Sequence, residues 1–188
     1  ASRRPVERIV RTATPLHDDD SSDYRSIGAG RFITIDEHTR DVLETLRGII
    51  AATYGGALPV QDLETAALWH DVGKAHAVFQ KLLLHGRTDN EYRNMPGPYA
   101  KSPAGRGGRP ERPHFRHELA SALALLAAGG GNLAAYLVAA HHGKVRLAIR
   151  SRPTEPQPRN DGLVALGLHD GDVIESFTVA GTTVPRTE

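Results

Sequence analysis

The stretch Leu68-Trp69-His70-Asp71-Val72-Gly73-Lys74-Ala75-His76 constrains this chain more than any other. It falls at the end of an apolar segment, Leu63 to Trp69, whose Ala and Leu content reads as a buried helix. Placing an imidazole and a carboxylate there without partners costs about 2–7 kcal/mol for a neutral polar group and more for a charge. A divalent metal satisfies both at once, since neutral imidazole nitrogen and anionic oxygen are an ordinary ligand mix for Zn, Mn, Fe, Co or Ni. The simpler account has Asp71 capping the next helix and His70 making one core hydrogen bond. For an isolated His-Asp pair that account is the better of the two, so the remaining histidines decide.

At 188 residues the chain is long enough for one well-buried core and too short for two independent domains. Apolar content of 39% and charged content of 24% place it with ordinary globular proteins. Cys is absent, which excludes disulfides and thiolate metal sites. With no bilayer-length apolar run and no secretory pattern at the start, the expectation is a cytoplasmic protein.

Residues 1–31 read as a leader or linker: Arg3, Arg4, Arg8 and Arg11 precede the acidic run Asp18-Asp19-Asp20, and no apolar periodicity runs through them. The folded unit is expected over 32–188. Thr34-Ile35-Asp36-Glu37 fits a capping box that opens a helix reaching about Thr53, with His38 on the side of Val42, Leu46 and Ile49. A second helix starts near Pro59 as its first residue and carries His70; Gly73 breaks it, and Lys74 to Leu84 forms a third. From Gly86 to Pro113 the density of Pro and Gly predicts a loop. Lys101, Arg106, Arg109, Arg112 and Arg116 make that loop either a solvated insertion or a phosphate-contacting one. Phe115 to Ala128 and Leu133 to His142 read as apolar helices, closed by Gly129-Gly130-Gly131 and by Gly143. Beyond a basic, Pro-punctuated stretch, Val173-Ile174, Phe177-Thr178-Val179 and Thr182-Thr183-Val184 alternate around Asp170-Gly171 and Ala180-Gly181, predicting one or two small hairpins.

The chain has 10 His. His38, His70, His117 and the pair His141-His142 each occupy the first or last turn of an apolar helix, from which a side chain can reach a common cavity. Together with Asp71 they exceed what a helical core needs. His17, His76, His85, His114 and His169 lack that context and are assigned to the surface.

The ordered pattern H…HD-x-G-K…H…HH resembles the HD superfamily of metal-dependent phosphohydrolases. The longer strings His70-Asp71-Val72-Gly73-Lys74-Ala75-His76…Phe79-Gln80, Arg116-His117-Glu118-Leu119-Ala120-Ser121 and Ala139-Ala140-His141-His142-Gly143 are narrower. They are similar to the HD nuclease domain of the type I CRISPR-associated helicase-nuclease, over about residues 32–150. The resemblance implies a mainly α fold, an HD-domain helical bundle, ending here in a small β-hairpin. It implies one or two divalent transition metal ions (Mn, Fe, Co or Ni, with Mg as an alternative). His38, His70 and Asp71 would hold one ion, and Asp71 would bridge to a second held by His117, His141 and His142. Bridging suits a carboxylate, which has two oxygens. His70, Asp71 and Lys74 would serve catalysis, Lys74 by offsetting charge on a scissile phosphate; an exposed cap lysine is the competing account. Implied partners are single-stranded DNA, a helicase domain, fused or separate, and the Cascade surveillance complex. The basic stretches 101–116 and 144–159 would track the strand electrostatically.

One departure matters. The family closes the first metal site with a later Asp on an Ala-rich helix, whereas only Asp161, Asp170 and Asp172 follow His142, each beside a turn glycine. The expectation is that this ligand lies beyond Glu188, leaving the site of His38 and His70 open and the fragment weakly active or inactive alone. Two other readings stand beside the nuclease: an HD-type nucleotide phosphohydrolase or phosphodiesterase, and a degenerate, non-catalytic HD module.

Overall fold

The computed structural model describes residues 29–53, 57–87, 96–103, 111–143, 149, 155 and 162–188. The readings for residues 1–28, including His17, for Arg106 and Arg109, and for most of the basic stretch 144–159 and Asp161 lie outside them. The fold is mainly helical, with small antiparallel strand pairs.

Strand β1 (Ile33–Thr34) runs directly into helix α1 (Ile35–Ala52). Thr34 caps it, its Oγ1 accepting the Glu37 N–H at 3.1 Å, while the Glu37 carboxylate pairs with Arg31 instead of closing the box. Burial on α1 is confined to Ile35, Thr39 and Leu43 in its first half. The expected inward side is therefore displaced: Ile49 is 59% exposed, and His38 sits at the margin, half-buried.

Helix α2 (Val60–Trp69) begins with Pro59 at its N-cap and ends with His70 at its C-cap, before Gly73 is reached. Gly73 is thus not what stops the helix. It lies in a 3-10 turn, Val72–Ala75, where a Cβ would meet the His117 carbonyl oxygen at 2.1 Å and the Ser121 nitrogen at 2.7 Å. Glycine is needed there because the turn lies directly on the next long helix. The expected single helix from Lys74 to Leu84 is this turn followed by α3 (Ala77–Leu83), whose N-cap is His76.

Within the segment expected to be loop, β2 (Tyr99–Lys101) pairs with β1 in antiparallel register, Ile33 opposite Lys101. Its other edge is covered by one side chain. Gln80 accepts the Tyr99 N–H at 2.9 Å and donates to the carbonyls of Tyr99 at 2.8 Å and Lys74 at 2.6 Å.

Helix α4 (His117–Ala127) is the centre of the molecule, buried from His117 through Ala122 and at Ala124 and Leu125. Its Ala and Ser residues let the 3-10 turn and α5 (Asn132–Ala140) approach closely. The turn between α4 and α5 closes with Gly130 N–H on the Leu125 carbonyl at 2.8 Å and Gly129 at φ +84°, a left-handed C-terminal cap. Around this axis pack Trp69, Val72, Phe79, Leu83, Phe115 and Val138.

The tail forms two hairpins. Strands β3 (Val164–Ala165) and β4 (Leu168–His169) turn at Leu166-Gly167, and β5 (Phe177–Val179) and β6 (Thr182–Val184) turn at Ala180-Gly181. Val173-Ile174 is not a strand; Ile174 makes a single bridge to Thr187. Val179 and Val184 are fully buried, and the Ala180 N–H donates to Asp36 Oδ1 at 2.7 Å, tying the last hairpin to the start of α1. Among the described residues no helix is long and apolar enough to cross a membrane.

Candidate metal centre

Asp71, 1% exposed, lies between α2 and the 3-10 turn with imidazoles from both sides of the fold around it. His70 and His141 follow α2 and α5 as their C-caps, and each ring is fixed by its own helix. The Nδ1 of His70 lies 2.7 Å from the Ala67 carbonyl and that of His141 lies 2.7 Å from the Val138 carbonyl. A carbonyl oxygen only accepts, so Nδ1 carries the hydrogen in both rings, and in the neutral form Nε2 presents a lone pair. These Nε2 atoms face Asp71, at 3.4 Å from Oδ2 for His70 and 3.8 Å from Oδ1 for His141.

The first turn of α1 brings His38 Nε2 to 3.5 Å from Oδ2, and the start of α4 brings His117 Nε2 to 3.5 Å from Oδ1. His142 completes the second side, with its Nε2 3.0 Å from that of His117. Two trios of donor atoms result among the described residues: His38, His70 and Asp71, and His117, His141 and His142, each mutually within 4.8 Å. The carboxylate presents Oδ2 to the first trio and Oδ1 to two members of the second.

Among the described residues neither Asp71 Oδ1 nor Oδ2, both buried, has a hydrogen-bond donor, although the Lys74 ammonium is ion-paired with Oδ2 at 2.9 Å. The Nε2 of His141 is likewise buried without a hydrogen-bond partner among the described residues. Lone pairs of neutral imidazoles facing a carboxylate repel unless a proton or a cation lies between them. Donor atoms about 2.1 Å from one shared ion lie roughly 3.0–3.5 Å apart at right-angle to tetrahedral bond angles, which is the range of most spacings here. The residues fit a divalent ion on each side.

The electrostatics favour the same conclusion. Burial pushes His38 down to about 4, against the opposing pull of Asp71, and burial with the neighbouring His141 pushes His142 to about 4. His117 and His141 are also lowered, chiefly by burial. These rings are neutral near pH 7, the form in which imidazole binds metal. His70 differs: burial disfavours its charge, but the adjacent Asp71 carboxylate and the Ala67 carbonyl on its Nδ1 outweigh burial and raise it. Burial would raise Asp71, yet Lys74, His70 and His117 hold it well below the carboxylate range.

Several side chains do what the sequence did not announce. Ser121 Oγ accepts the Gly73 N–H at 2.7 Å and donates to the His70 carbonyl at 2.9 Å, stapling the His-Asp turn to α4. Lys74 is not an exposed cap residue; it is 4% exposed, bound to Asp71 and 3.4 Å from the Ala100 carbonyl. His76 is not on the surface. It is buried, stacks on Phe115 at 4.9 Å, accepts the Val78 N–H through Nδ1, and faces Asp172 at 3.5 Å. His114 and His169 are half-buried, and His85 is exposed.

Asp172 binds Arg112 at 2.6 Å and the His169 N–H at 2.8 Å, apart from the histidine cluster, and Asp170 is exposed. Two of the cations expected to meet phosphate are spent internally: Arg112 on Asp172, and buried Arg116 on Glu118. Lys101 is half-buried and close enough to His38 to lower its basicity.

A helical core in which a His-Asp pair at one helix end meets histidines from three other helices has the layout of an HD domain. Residues 39–178 match the family described as Cas3, HD domain, and the chain belongs to that family. No curated protein and no solved structure matches it. The family points to a CRISPR-associated, nuclease-type function and to metal-dependent hydrolysis as its chemistry.

Proposed function

We propose that residues 32–188 form a nuclease domain that degrades single-stranded DNA in type I CRISPR interference, together with a helicase domain, fused or separate, and the Cascade surveillance complex. In this reading His38, His70 and Asp71 hold one divalent ion and His117, His141 and His142 a second, with Asp71 offering one oxygen to each. Mn, Fe, Co or Ni suits the donors, with Mg as an alternative. The observation that carries the reading is the division of Asp71, whose two buried oxygens face different imidazole sets. When bound, such a pair of ions supplies an activated water and stabilises charge on both oxygens of the cleaved phosphodiester.

The chain's own residues do the rest. Ala67 and Val138 orient two rings, burial keeps most of the rings uncharged, and Ser121 fixes the backbone that carries Asp71. Lys101, whose charge lowers the basicity of His38, is in this reading the cation that meets a phosphate.

The test is cleavage of circular single-stranded DNA by the metal-free chain on addition of Mn²⁺, alongside His70→Ala and Asp71→Ala. Metal-dependent cutting lost in both variants supports the proposal. Phosphate release from nucleotides without DNA cutting would instead mark a nucleotide phosphohydrolase or phosphodiesterase. Metal uptake with neither activity would mark a non-catalytic HD module.

A further inference from the structure

Resting on the two-ion reading above, we infer that Lys74 is a resident cation that ranks the two trios, so that the ion held by His117, His141 and His142 loads first and that held by His38 and His70 second. The two sides of Asp71 are not equivalent. Oδ1 faces His117 and His141 and, among the described residues, has no hydrogen-bond donor, so an ion on that side meets an oxygen that no lysine contacts. Oδ2 faces His38 and His70 and likewise has no hydrogen-bond donor among the described residues, but it is ion-paired with the Lys74 ammonium at 2.9 Å. An ion there shares its oxygen with that ammonium's charge and sits a few ångströms from a like charge in a poorly screened interior.

Lys74 cannot simply withdraw. Its side chain is buried, with Ala100 carbonyl at 3.4 Å and the Phe79 ring 5.7 Å from the ammonium. Its backbone is pinned by Gln80 on its carbonyl at 2.6 Å and by the 3-10 turn lying on α4. The ammonium also gives the buried carboxylate a counter-charge before any metal arrives. Lys74 thereby supports the metal-free fold and opposes the second ion, acting as a positioning and ranking residue.

The experiment is calorimetric titration of the metal-free chain with Mn²⁺, compared across wild type, Lys74→Met and His38→Ala, with melting temperatures before and after loading. Wild type should bind in two separable steps. Lys74→Met should tighten the weaker step by about tenfold or more and shift the tighter step less. It should also melt lower without metal, because Asp71 loses its counter-charge, and gain more from Mn²⁺ than wild type does. His38→Ala, at the half-exposed margin, should erase the weaker step and spare the tighter one, a result that does not require the Lys74 variant to fold. Equal steps in wild type, an unchanged isotherm in Lys74→Met, or loss of the tighter step in His38→Ala would each overturn the ranking while leaving the two-ion reading intact. A wild-type chain that takes up no Mn²⁺ would overturn that reading itself.

Discussion

Gly73→Ala tests whether the His-Asp turn is held on α4 by steric fit. The added methyl would lie 2.1 Å from the His117 carbonyl oxygen, 2.7 Å from the Ser121 nitrogen and 2.8 Å from the Ala120 Cβ. The first two are backbone atoms of a buried helix and cannot swing aside, so the turn must move. Overpacking of this kind costs about 1–3 kcal/mol. Moving the turn also strains the Gly73–Ser121 and Ser121–His70 hydrogen bonds, each contributing about 0.5–1.5 kcal/mol. Against this, alanine reduces unfolded-state entropy, a gain of about 0.4–1 kcal/mol. The net expectation is destabilisation by about 3 kcal/mol, a large share of a typical domain's 5–15 kcal/mol, roughly. Gly48→Ala is the internal control: Gly48 lies in α1 with nothing within 4 Å of its added methyl, so the same change should stabilise by up to about 1 kcal/mol. Urea unfolding of the metal-free proteins, read as midpoints at constant slope, gives both numbers. A Gly73→Ala chain as stable as wild type, to within about 1 kcal/mol, would refute the close-contact argument.

Gln80→Leu should cost about 2–5 kcal/mol by the same assay, since it strands the Tyr99 N–H and removes the amide donor to two carbonyls. Asp71→Asn should abolish Mn²⁺ uptake at both trios in calorimetry; one ion bound with wild-type affinity would show that Asp71 is not shared. For Asp172, burial would raise the carboxyl, but His76, Arg112 and the His169 N–H hold it well below the carboxylate range. A depressed folded value means its contribution is complete above the unfolded value of about 3.9 and is lost as pH falls toward the folded one. Asp172→Asn should therefore flatten the acid limb of the stability–pH curve below about pH 5, whereas an unchanged limb in urea melts would deny the ion pair any role. In the metal-free chain above pH 8, ¹⁵N shifts of His70 and His141 should report hydrogen on Nδ1 and a bare Nε2 that moves on Mn²⁺ addition; the opposite tautomer would contradict the carbonyl contacts.

The elements that carry the cluster were legible because each has a local signal: a Thr34 cap, an Ala/Leu run ending at Trp69, the Gly129-Gly130-Gly131 cluster after α4 and Gly143 after α5. What remained hidden depends on contacts across the chain. Gly73 looks like a helix breaker in a one-dimensional reading, and only the backbone of α4 lying against it reveals the reason for glycine. His76 carries no apolar periodicity of its own and is drawn inward by Phe115 and Asp172, distant in sequence. Strand β2 has three residues in a Pro- and Gly-rich setting and is completed by the Gln80 side chain, so no alternation announces it. Arg112 reads as a surface cation because its acid, Asp172, lies 60 residues further on, and Arg116 because nothing local shows that it and Glu118, two residues on, are buried together.

The placement of the cluster at helix ends follows from what those ends lack. The last carbonyls of any helix have no intrahelical partner, and α2 and α5 each use one of them to hold a histidine ring by its Nδ1. In each case the contact selects the tautomer and aims the other nitrogen inward, and the Val138 carbonyl also accepts the His141 N–H at 3.4 Å. The same ends carry the negative pole of the helix dipole, which favours cations. At the opposite pole, the start of α4 sets His117 against Asp71, where the positive end helps keep the carboxylate ionised. With Asp71 balanced by Lys74 and most of the surrounding rings neutral, the cluster has little net charge but an excess of lone pairs directed inward. That imbalance is the physical reason to expect it to take up a cation rather than a bare anion, and it arises from backbone geometry as much as from the histidines themselves.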